Sequence, residues 1–312
     1  MDFDPIVPFE PVQSETIPAG PEWVYQAKWD GVRVLMYCNE KDVRLFNRRK
    51  NERTATFPEI VNSRNLVRAQ SFILDGEAIA LNQEGRPSFH EIMKRDSIRK
   101  ANRISLTMEN IPVYYMVFDL LYYNGNWLTD LPLKSRLDIL RDILTPSENI
   151  QLTPNYAKGR ELFNKIRQLD MEGIVAKKID SSYWIGHQNA NWRKIKNYKD
   201  VVAVVGGLSY GESNVHSILL GLYNTDNQLI YIGHCGPGKL TAREWQLFAE
   251  QAARLEDEHS PFVNFPEKKN IRWLKPLLTV KVHYIEWSIG HSLRQPTLQG
   301  VVEENPSICR VE

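Results

Sequence analysis

Residues 26–33 read Gln-Ala-Lys-Trp-Asp-Gly-Val-Arg, which places Lys28 and an Asp-Gly pair between two β-rich runs. Trp23–Lys28 predicts one strand and Val32–Tyr37 another, with Asp30-Gly31 as the turn between them. A lysine at a strand end, beside a carboxylate and a tight turn, is a weak signal alone. Ordinary composition supplies such a tetrapeptide in about one chain in ten of this size. Whether Lys28 is a functional residue or an ordinary residue at a strand end must therefore be judged from the rest of the chain.

The composition limits the classes of protein that fit. The chain has 312 residues, 42% of them hydrophobic and 25% charged, which suits about two folded domains and excludes a disordered chain or a coiled coil. No run of about 18 apolar residues occurs, and the acidic, proline-containing N-terminus does not resemble a secretion signal. Three widely spaced cysteines, an odd number, fit neither a disulfide framework nor a cysteine zinc site. We therefore expect a protein of the reducing cytoplasm.

The net charge of +1 hides an asymmetry, because residues 1–199 hold 29 Lys and Arg against 25 Asp and Glu. A near-neutral chain is poor support for nucleic-acid binding by itself, so local basic clusters must carry that argument. One such cluster surrounds Arg48 and Arg49.

Residues 1–198 alternate strand and helix signals, and we predict an α+β domain of mixed antiparallel sheets with helices. Asp42–Phe46 continues the antiparallel pattern, and Val113–Leu121 is a continuous apolar run typical of a strand buried on both faces. A second Asp-Gly pair, Asp75-Gly76, predicts a turn between strands Ser71–Leu74 and Ala78–Leu81. Further predictions are helices at Lys134–Leu144 and Gly159–Leu169 and a short strand at Ile174–Lys177.

Residues 199–312 have a different character, and we predict a small OB-type β-barrel there. One helix interrupts the strands, at about Ala242–Leu255, and Thr241 with Glu244 forms the capping-box pattern at its start. About five strands and one helix in this length suit a partly open barrel. The strands are predicted at Val201–Val205, Ser217–Tyr223, Leu229–Gly233 and Thr279–Trp287.

A series of short motifs follows Lys28 in a fixed order. They are Arg33, Asn47-Arg48-Arg49, Leu74-Asp75-Gly76-Glu77, Phe118-Asp119-Leu120-Leu121, Glu172-Gly173-Ile174-Val175-Ala176-Lys177 and Trp192-Arg193-Lys194-Ile195-Lys196. This set resembles the nucleotidyl-transferase motifs of ATP-dependent DNA ligases. The most similar members are the compact bacterial ligases and the ligase modules of bacterial end-joining proteins. The resemblance spans about residues 23–196, and the following barrel resembles the OB domain of the same family.

The resemblance implies a role for each motif residue. Lys28 would attack the α-phosphate of ATP and form a lysyl-adenylate. A lysine with an ordinary pKa is protonated at pH 7, so neighbouring cations must favour the neutral amine. Lys194 and Lys196, which alternate on one strand and share a face, are the candidates for that task and for neutralising phosphate charge.

The remaining roles concern the nucleotide, the metal and the DNA. Gln26 would accept a hydrogen bond from the adenine amine, at a position where relatives often have Glu. Glu172, with Glu77, would bind Mg²⁺ (or Mn²⁺), which prefers carboxylate oxygens. The resemblance also implies that Phe118 stacks on adenine, that Arg33 and Glu77 lie on the ribose side, and that Lys177 lies in the nucleotide site. Arg48 would contact the nucleotide and the 5′-phosphate, and Arg49 would contact the DNA.

The resemblance also implies partners. We expect nicked double-stranded DNA as substrate, an end-joining or repair protein as partner, no membrane, a monomer, and a location in the bacterial cytoplasm at the nucleoid. Roles in DNA repair, recombination or replication fit these expectations. About 22 residues precede the first motif strand, so we expect no separate N-terminal DNA-binding domain.

Two departures from the family pattern affect what the resemblance implies. Relatives usually carry an arginine shortly after the glycine at the position of Gly186, whereas His187 and Gln188 follow it in this chain. Relatives also end the barrel with a basic RxDK motif that orients the leaving pyrophosphate. Residues 301–305 instead read Val-Val-Glu-Glu-Asn. We therefore expect weakened self-adenylation unless Arg294, Arg310 or a barrel lysine substitutes.

Two alternative functions remain open at this point. An RNA ligase or a capping-type nucleotidyl transferase shares the lysine motif. A non-catalytic nucleic-acid-binding protein with an OB barrel would explain the second domain but not the complete set of motif lysines and glutamates.

Overall fold

The structure is a computed structural model that describes residues 4–40, 42–98, 100–211, 214–266, 270–288 and 290–311. The chain divides into two compact units, Met1–Asn197 and Tyr198–Glu312. The predicted domain boundary, between residues 198 and 199, lies next to this division. Within the described ranges, no helix is long and apolar enough to cross a membrane.

The first unit contains strands and helices in alternation. Its strands are β1 (Glu10–Gln13), β2 (Trp23–Ala27), β3 (Val32–Cys38), β4 (Val43–Asn47), β5 (Phe72–Ile79), β6 (Tyr114–Tyr123), β7 (Asn126–Trp127), β8 (Ile150–Leu152), β9 (Gly173–Lys178) and β10 (Gln188–Lys196). Its helices are α1 (Pro58–Asn62), α2 (Phe89–Asp96), α3 (Ala101–Met108), α4 (Leu133–Ile143) and α5 (Gly159–Gln168), with a 3₁₀ turn at Ser63–Leu66.

The described strands of the first unit form two sheets. The four-stranded sheet has the order β1-β10-β9-β2, in which β1 runs parallel to β10 and the other pairs are antiparallel. The six-stranded sheet has the order β4-β3-β5-β6-β7, and β8 joins it parallel to β6. These two sheets are the mixed, largely antiparallel arrangement expected for residues 1–198.

Strand alternation explains how the two sheets pack. In β3, Val34 and Met36 enter the core that is shared with α4, whereas Leu35 and Tyr37 pack with Trp192 of β10 in the layer between the sheets. A third core lies behind the four-stranded sheet, where α5 buries residues one helical turn apart. The layers are therefore helix, sheet, sheet and helix, and the face of the four-stranded sheet that meets the six-stranded sheet is called the inter-sheet face below.

The hairpin turn predicted at Asp30-Gly31 is wrong, although the chain does bend at Gly31. β2 pairs with β9 in the four-stranded sheet, whereas β3 pairs with β4 and β5 in the other. The segment Lys28–Gly31 therefore carries the chain from one sheet to the other. A Cβ on Gly31 would lie 2.2 Å from the carbonyl oxygen of Ala78, so the crossing needs a glycine.

The second predicted turn, at Asp75-Gly76, is wrong. β5 runs unbroken through both residues. Asp75 is fully buried, and a Cβ on Gly76 would lie 2.5 Å from the ring of Tyr115 on β6. The glycine thus makes room for an aromatic ring from the neighbouring strand rather than a reversal of the chain, which a local turn preference cannot reveal.

The second unit has the predicted mixture of short strands and one helix. Its elements are β11 (Lys199–Tyr210), β12 (Val215–Tyr223), β13 (Leu229–Cys235), α6 (Ala242–Ala253), β14 (Glu256–Asp257), β15 (Ile271–Tyr284), β16 (Trp287–Ser288), β17 (Ser292–Leu293) and β18 (Thr297–Val302), with a 3₁₀ turn at Pro306–Ile308.

An antiparallel sheet with the order β13-β12-β11-β15-β14, joined by β18 on β15, surrounds a single apolar core in this unit. The arrangement matches the expected OB-type barrel. The predicted capping box of α6 is confirmed, because Thr241 Oγ1 accepts from Glu244 N at 3.3 Å and Glu244 Oε2 accepts from Thr241 N at 2.8 Å.

We predict that Gly76→Ala destabilises the protein by about 1–3 kcal/mol, because the added methyl group would overlap the Tyr115 ring in a filled core. Urea unfolding of the wild type and the variant measures this free energy. Gly300→Ala is the control, since its Cβ would have no atom within 4 Å. Equal stability of Gly76→Ala and wild type would contradict the packing described for β5.

Candidate active site

Three strand ends bring Lys28, Glu172 and Lys196 to one edge of the four-stranded sheet. Lys28 follows the end of β2, Glu172 precedes the start of β9, and Lys196 ends β10. Because β9 is antiparallel to both neighbours, these ends coincide. Backbone hydrogen bonds fix the edge, with Lys28 N donating to Gly173 O at 2.9 Å and Asn197 N to Glu172 O at 2.8 Å. The sheet register thus places a lysine and a carboxylate side by side.

Lys28 and Glu172 are in direct contact. Lys28 Nζ donates to Glu172 Oε2 at 2.5 Å, with 22% of the lysine side chain and 4% of the glutamate side chain exposed. A short, charge-assisted bond of this kind fixes the direction of the amine. The predicted nucleophile therefore lies at the surface of the site, held by a nearly buried carboxylate.

Lys194 and Lys196 lie on the inter-sheet face, as their alternation with Trp192 predicts. Burial lowers the pKa of Lys194, and the positive charges of Lys28 and Arg48 lower it further. The influence of Lys28 shows that the two ammonium groups are near enough to repel each other. This cationic neighbourhood is the one expected around the nucleophile.

Glu77 enters the site from the six-stranded sheet. It pairs with Arg33 across β5 and β3, and burial raises its pKa to about 8 despite the opposing charges of Lys28 and Arg33. The nearby carboxylates of Glu172 and Asp75 raise that pKa as well. Glu77 and Glu172 therefore share one region, and each would be more stable there with an added cation.

The two glutamates fit a magnesium ion shared with a nucleotide. Among the described residues, no group of three or more His, Cys, Asp or Glu side chains is placed to hold a metal ion. Mg²⁺ is usually held by one or two carboxylates together with waters and substrate phosphates. Glu77 and Glu172 supply that kind of donor set.

Arg33 is held by the carboxylate of Asp75. Its Nε and Nη2 donate to Asp75 Oδ1 at 2.9 Å and Oδ2 at 2.6 Å, and Tyr183 OH donates to Asp75 Oδ2 at 2.7 Å. Burial by itself would lower the pKa of Arg33, but the negative charge and hydrogen bonds of Asp75 have the larger effect, so the pKa of Arg33 is raised. The guanidinium carbon lies 5.2 Å from the centroid of the Phe118 ring. Arg33 therefore supports the site by holding its neighbours.

Phe118 occupies a β-bulge. Asp75 pairs with Asp119 and Gly76 with Val117, which leaves Phe118 as the extra residue of β6. The bulge is anchored on its next residue by a fully buried bidentate pair, in which Arg136 donates to Asp119 at 2.8 and 2.9 Å. A bulge redirects a side chain, and Phe118 is half-buried against Trp192.

Lys177 lies beneath the same bulge and is almost completely buried. Its Nζ is 4.3 Å from the Phe118 ring centroid and 3.9 Å from that of Trp192, and it donates to Phe118 O at 3.4 Å. Burial lowers the pKa of Lys177 to about 7, with Arg33 and Arg136 adding to the effect. Lys177 therefore contacts the predicted adenine-stacking residue from below.

Gln26 lies on the inter-sheet face and is 2% exposed. Its register partner is Val175, which also pairs with Lys194. Its Nε2 donates to Asn155 Oδ1 at 2.8 Å. The structure thus brings Gln26, Glu77, Glu172, Lys28 and the motif lysines together.

The two arginines predicted at the DNA lie on the exposed loop after β4. Arg48 Nη1 donates to Glu10 at 3.2 Å, and 54% of its side chain is exposed. Its charge reaches Lys194, which places it at the rim of the site. Arg49 is exposed, and its backbone N donates to Asn47 Oδ1 at 3.0 Å.

The residues that sequence reasoning missed are partners of the predicted ones. Asp75, which its sequence context predicts to lie in a turn, belongs to the same motif as Glu77. Tyr183 and Asn155 are distant in sequence from the side chains they bind, and no local pattern marks them. Trp192 belongs to the last motif, and only the structure shows that it packs against Phe118 and Lys177.

In the second unit, the arginines considered as substitutes for the missing basic motif have local partners. Arg294 Nη1 donates to Glu286 at 2.7 Å. Arg310 donates to Ser307 O and Asn224 O at 3.1 Å and to Asn227 Oδ1 at 2.5 Å. These bonds hold each arginine within its own unit.

Comparison with known proteins gives an independent result for both units. The sequence-family model of the ATP dependent DNA ligase domain matches residues 10–196. The family model of the ATP dependent DNA ligase C terminal region matches residues 211–305. A solved structure of mycobacterial DNA ligase D complexed with ATP and MES is 29% identical, covers 100% of both chains and has a TM-score of 0.55.

Curated relatives agree. The multifunctional non-homologous end joining DNA repair protein LigD of Mycobacterium tuberculosis is 31% identical over 90% of this chain and 36% of its own length. A DNA ligase of Methanococcus aeolicus is 32% identical over 87% of this chain and 50% of its own length. The chain thus spans between a third and a half of these relatives. With both units matched in order, this chain belongs to the family of ATP-dependent DNA ligases.

Proposed function

We propose that the chain seals nicks in duplex DNA with ATP, through a covalent adenylate on Lys28. The observation that carries the proposal is the convergence of Lys28, Glu172, Glu77 and Lys194 from two sheets. An RNA ligase, a capping-type transferase and a non-catalytic binding protein are less well supported, because both units match DNA ligase models.

In the first step, Lys28 Nζ attacks the α-phosphorus of ATP. The new N–P bond replaces the bond to the oxygen that bridges to the β-phosphate, and pyrophosphate leaves. Glu172 directs the amine through its 2.5 Å contact and is the nearest acceptor for the proton that the amine loses. Lys194 and Lys196 neutralise charge on the phosphate being transferred. Mg²⁺ held by Glu77 and Glu172 would supply further neutralisation of phosphate charge.

In the later steps, AMP passes from Lys28 to the 5′-phosphate at the nick, and the 3′-hydroxyl then displaces AMP. Arg48 at the rim would hold the 5′-phosphate, because a guanidinium can bind two phosphate oxygens at once. Arg49 would contact the DNA backbone. Phe118 would stack on adenine, and Arg33, Asp75 and Lys177 would keep its bulge in place.

The proposed setting follows from the substrate and the relatives. DNA as substrate places the enzyme at the bacterial nucleoid. The end-joining names of several relatives support an end-joining or repair protein as partner. We propose a monomer that binds backbone phosphates, so that nick binding weakens as salt rises.

Lys28→Ala should form no covalent adenylate and should not seal a nick with ATP, because the variant lacks the amine that is proposed to attack the α-phosphorus. It should still seal a nick whose 5′-phosphate already carries AMP. Labelled ATP transfer and sealing of both substrates measure this. Lys158→Ala, at an exposed lysine, is the control. Adenylation of Lys28→Ala at wild-type level would refute the proposed nucleophile.

Lys177→Met should change how stability depends on pH. The folded-state pKa of Lys177, about 7, lies below the ordinary value of 10.5, so the native state excludes a proton that the unfolded chain binds. Wild-type stability should therefore decline as pH falls from about 10.5 to 7, and Lys177→Met should lack that part of the decline. The difference in free energy of unfolding between wild type and variant should favour wild type by ~3 kcal/mol more at pH 9.5 than at pH 7.

Urea unfolding at the two pH values measures this difference, and Lys165→Met, at an exposed helix position, is the control. A wild-type advantage that stays constant with pH would show that Lys177 is charged throughout this range.

The lack of a basic motif at residues 301–305 predicts that self-adenylation limits the overall reaction. Under single turnover, the chain should seal a pre-adenylated nick faster than it forms the adenylate from ATP. Arg294→Ala and Arg310→Ala should leave both rates within about twofold of wild type, since both arginines have local partners. Selective slowing of self-adenylation by either change would show that it replaces the missing motif.

A further inference from the structure

The ammonium group of Lys177 lies against two aromatic rings that come from different strands. Its Nζ is 4.3 Å from the centroid of the Phe118 ring and 3.9 Å from that of the Trp192 ring, and the two centroids are 6.4 Å apart. The negative face of an aromatic ring attracts a cation that lies within about 6 Å of the centroid. Lys177 therefore forms cation–π contacts with both rings.

Packing alone does not account for a lysine at this position. Lys177 is 2% exposed, and in the part of the chain that the structure describes its Nζ has one hydrogen-bond acceptor, Phe118 O at 3.4 Å. An ammonium group has three donors, and burying its charge with so few acceptors costs free energy. A methionine would fill a similar space without that cost. The charge of Lys177, rather than its shape, is therefore the feature that needs a function.

Both cations near Phe118 lie on one side of its ring. The guanidinium carbon of Arg33 is 5.2 Å from the Phe118 centroid and 5.9 Å from the Trp192 centroid. Because Lys177 and Arg33 are each close to Trp192 as well as to Phe118, they lie on the side of Phe118 that faces Trp192. Phe118 is only half-buried, so part of its ring is accessible. A base that stacks on Phe118 would therefore use the face opposite to the two cations.

The two cations differ in how their charge is balanced. Arg33 donates twice to Asp75, at 2.9 and 2.6 Å, and this carboxylate compensates its charge. Lys177 forms no such ion pair with the described residues. A cation beneath a ring draws π-electron density towards itself, which leaves the other face less negative. Stacked aromatic systems repel through their negative faces, so a base stacks better on a face depleted in this way.

We propose that Lys177 is a positioning residue for the base of the nucleotide, because its ammonium group beneath Phe118 makes the outer face of that ring a better stacking surface for adenine. This inference rests on the proposed function, in which the nucleotide that becomes attached to Lys28 stacks its base on Phe118. Lys177 acts through the ring, and no bond forms or breaks at its amine.

The first test measures the KM for ATP in covalent adenylate formation by the full chain. Lys177→Met keeps the packing and removes the charge, so it should raise KM about threefold to tenfold at pH 6 and leave kcat within about twofold. Lys178→Met is the matched control, because Lys178 Nζ lies 5.6 Å from the ring of Trp23 in the core behind the four-stranded sheet. An unchanged KM in Lys177→Met would overturn the proposal.

The dependence on pH separates the charge of Lys177 from its shape. Burial lowers the pKa of Lys177 to about 7. The charged groups that face it are Asp119 and Asp75, which raise that pKa, and Arg33 and Arg136, which lower it. Wild type therefore carries the charge at pH 6 and has lost it at pH 9. The KM of Lys177→Met should exceed that of wild type at pH 6 and match it at pH 9, whereas an equal increase at both pH values would overturn the proposal.

A double-mutant comparison tests whether the effect passes through the ring. In a Phe118→Leu background, Lys177→Met should leave the KM for ATP within about twofold at pH 6, because no π system remains to transmit the charge. The same threefold to tenfold increase in that background would overturn the proposal. Should Lys177→Met fail to fold, Lys177→Leu gives the same comparisons.

Inhibition of adenylate formation gives a readout that depends on the base. Lys177→Met should weaken competitive inhibition by AMP at pH 6 but not inhibition by tripolyphosphate, which has no base. Equal weakening of both would show that the variant disturbs the whole site and would overturn the proposal. Failure of the proposed function looks different, because wild type would then form no covalent adenylate with ATP.

Discussion

The chain passes from one sheet to the other within Lys28–Gly31, and the arrangement of the active site depends on this crossing. Its last residue must be glycine, because the carbonyl of Ala78 occupies the space of a side chain. A short connection keeps the end of β2 near the start of β3, so Lys28 and Arg33 both act on Glu77 although β2 and β3 belong to different sheets. Glu172 at the edge of the four-stranded sheet contacts Lys28 directly, and Glu77 of the six-stranded sheet is close enough for the charge of Lys28 to lower its pKa. The crossing segment therefore brings carboxylates of both sheets to the same lysine.

Buried ion pairs hold the rest of the site in place. Arg33 with Asp75 and Arg136 with Asp119 each form bidentate contacts on either side of the Phe118 bulge. Removing one partner of such a pair leaves an uncompensated buried charge, which is strongly destabilising. In the proposed function, these pairs, with Lys177 beneath the Phe118 ring, would give the nucleotide a rigid stacking surface. Burying these charges costs free energy, but the ion pairs fix the positions of the side chains around the bulge. Such fixed positions are expected where a site must bind its ligand in one geometry.

Much of the site could be predicted because it follows short-range rules. Lys194 and Lys196 share a face because strands alternate with a period of two, and Thr241 with Glu244 caps a helix through bonds within one turn. The ordered motifs identified the family, which both unit comparisons support. Asp75-Gly76 failed because its glycine accommodates the ring of Tyr115, a contact between strands about forty residues apart that no local preference records.

The sequence by itself predicted which groups would do the chemistry: an amine at Lys28, carboxylates at Glu77 and Glu172, and cations at Lys194 and Lys196. Only the tertiary structure decided what holds them. The pairing of Arg33 with Asp75, the placement of Lys177 under Phe118 and the hydrogen bond from Gln26 to Asn155 all join residues of different elements. Such contacts depend on sheet register and on how two sheets face each other, and both are properties of the whole fold.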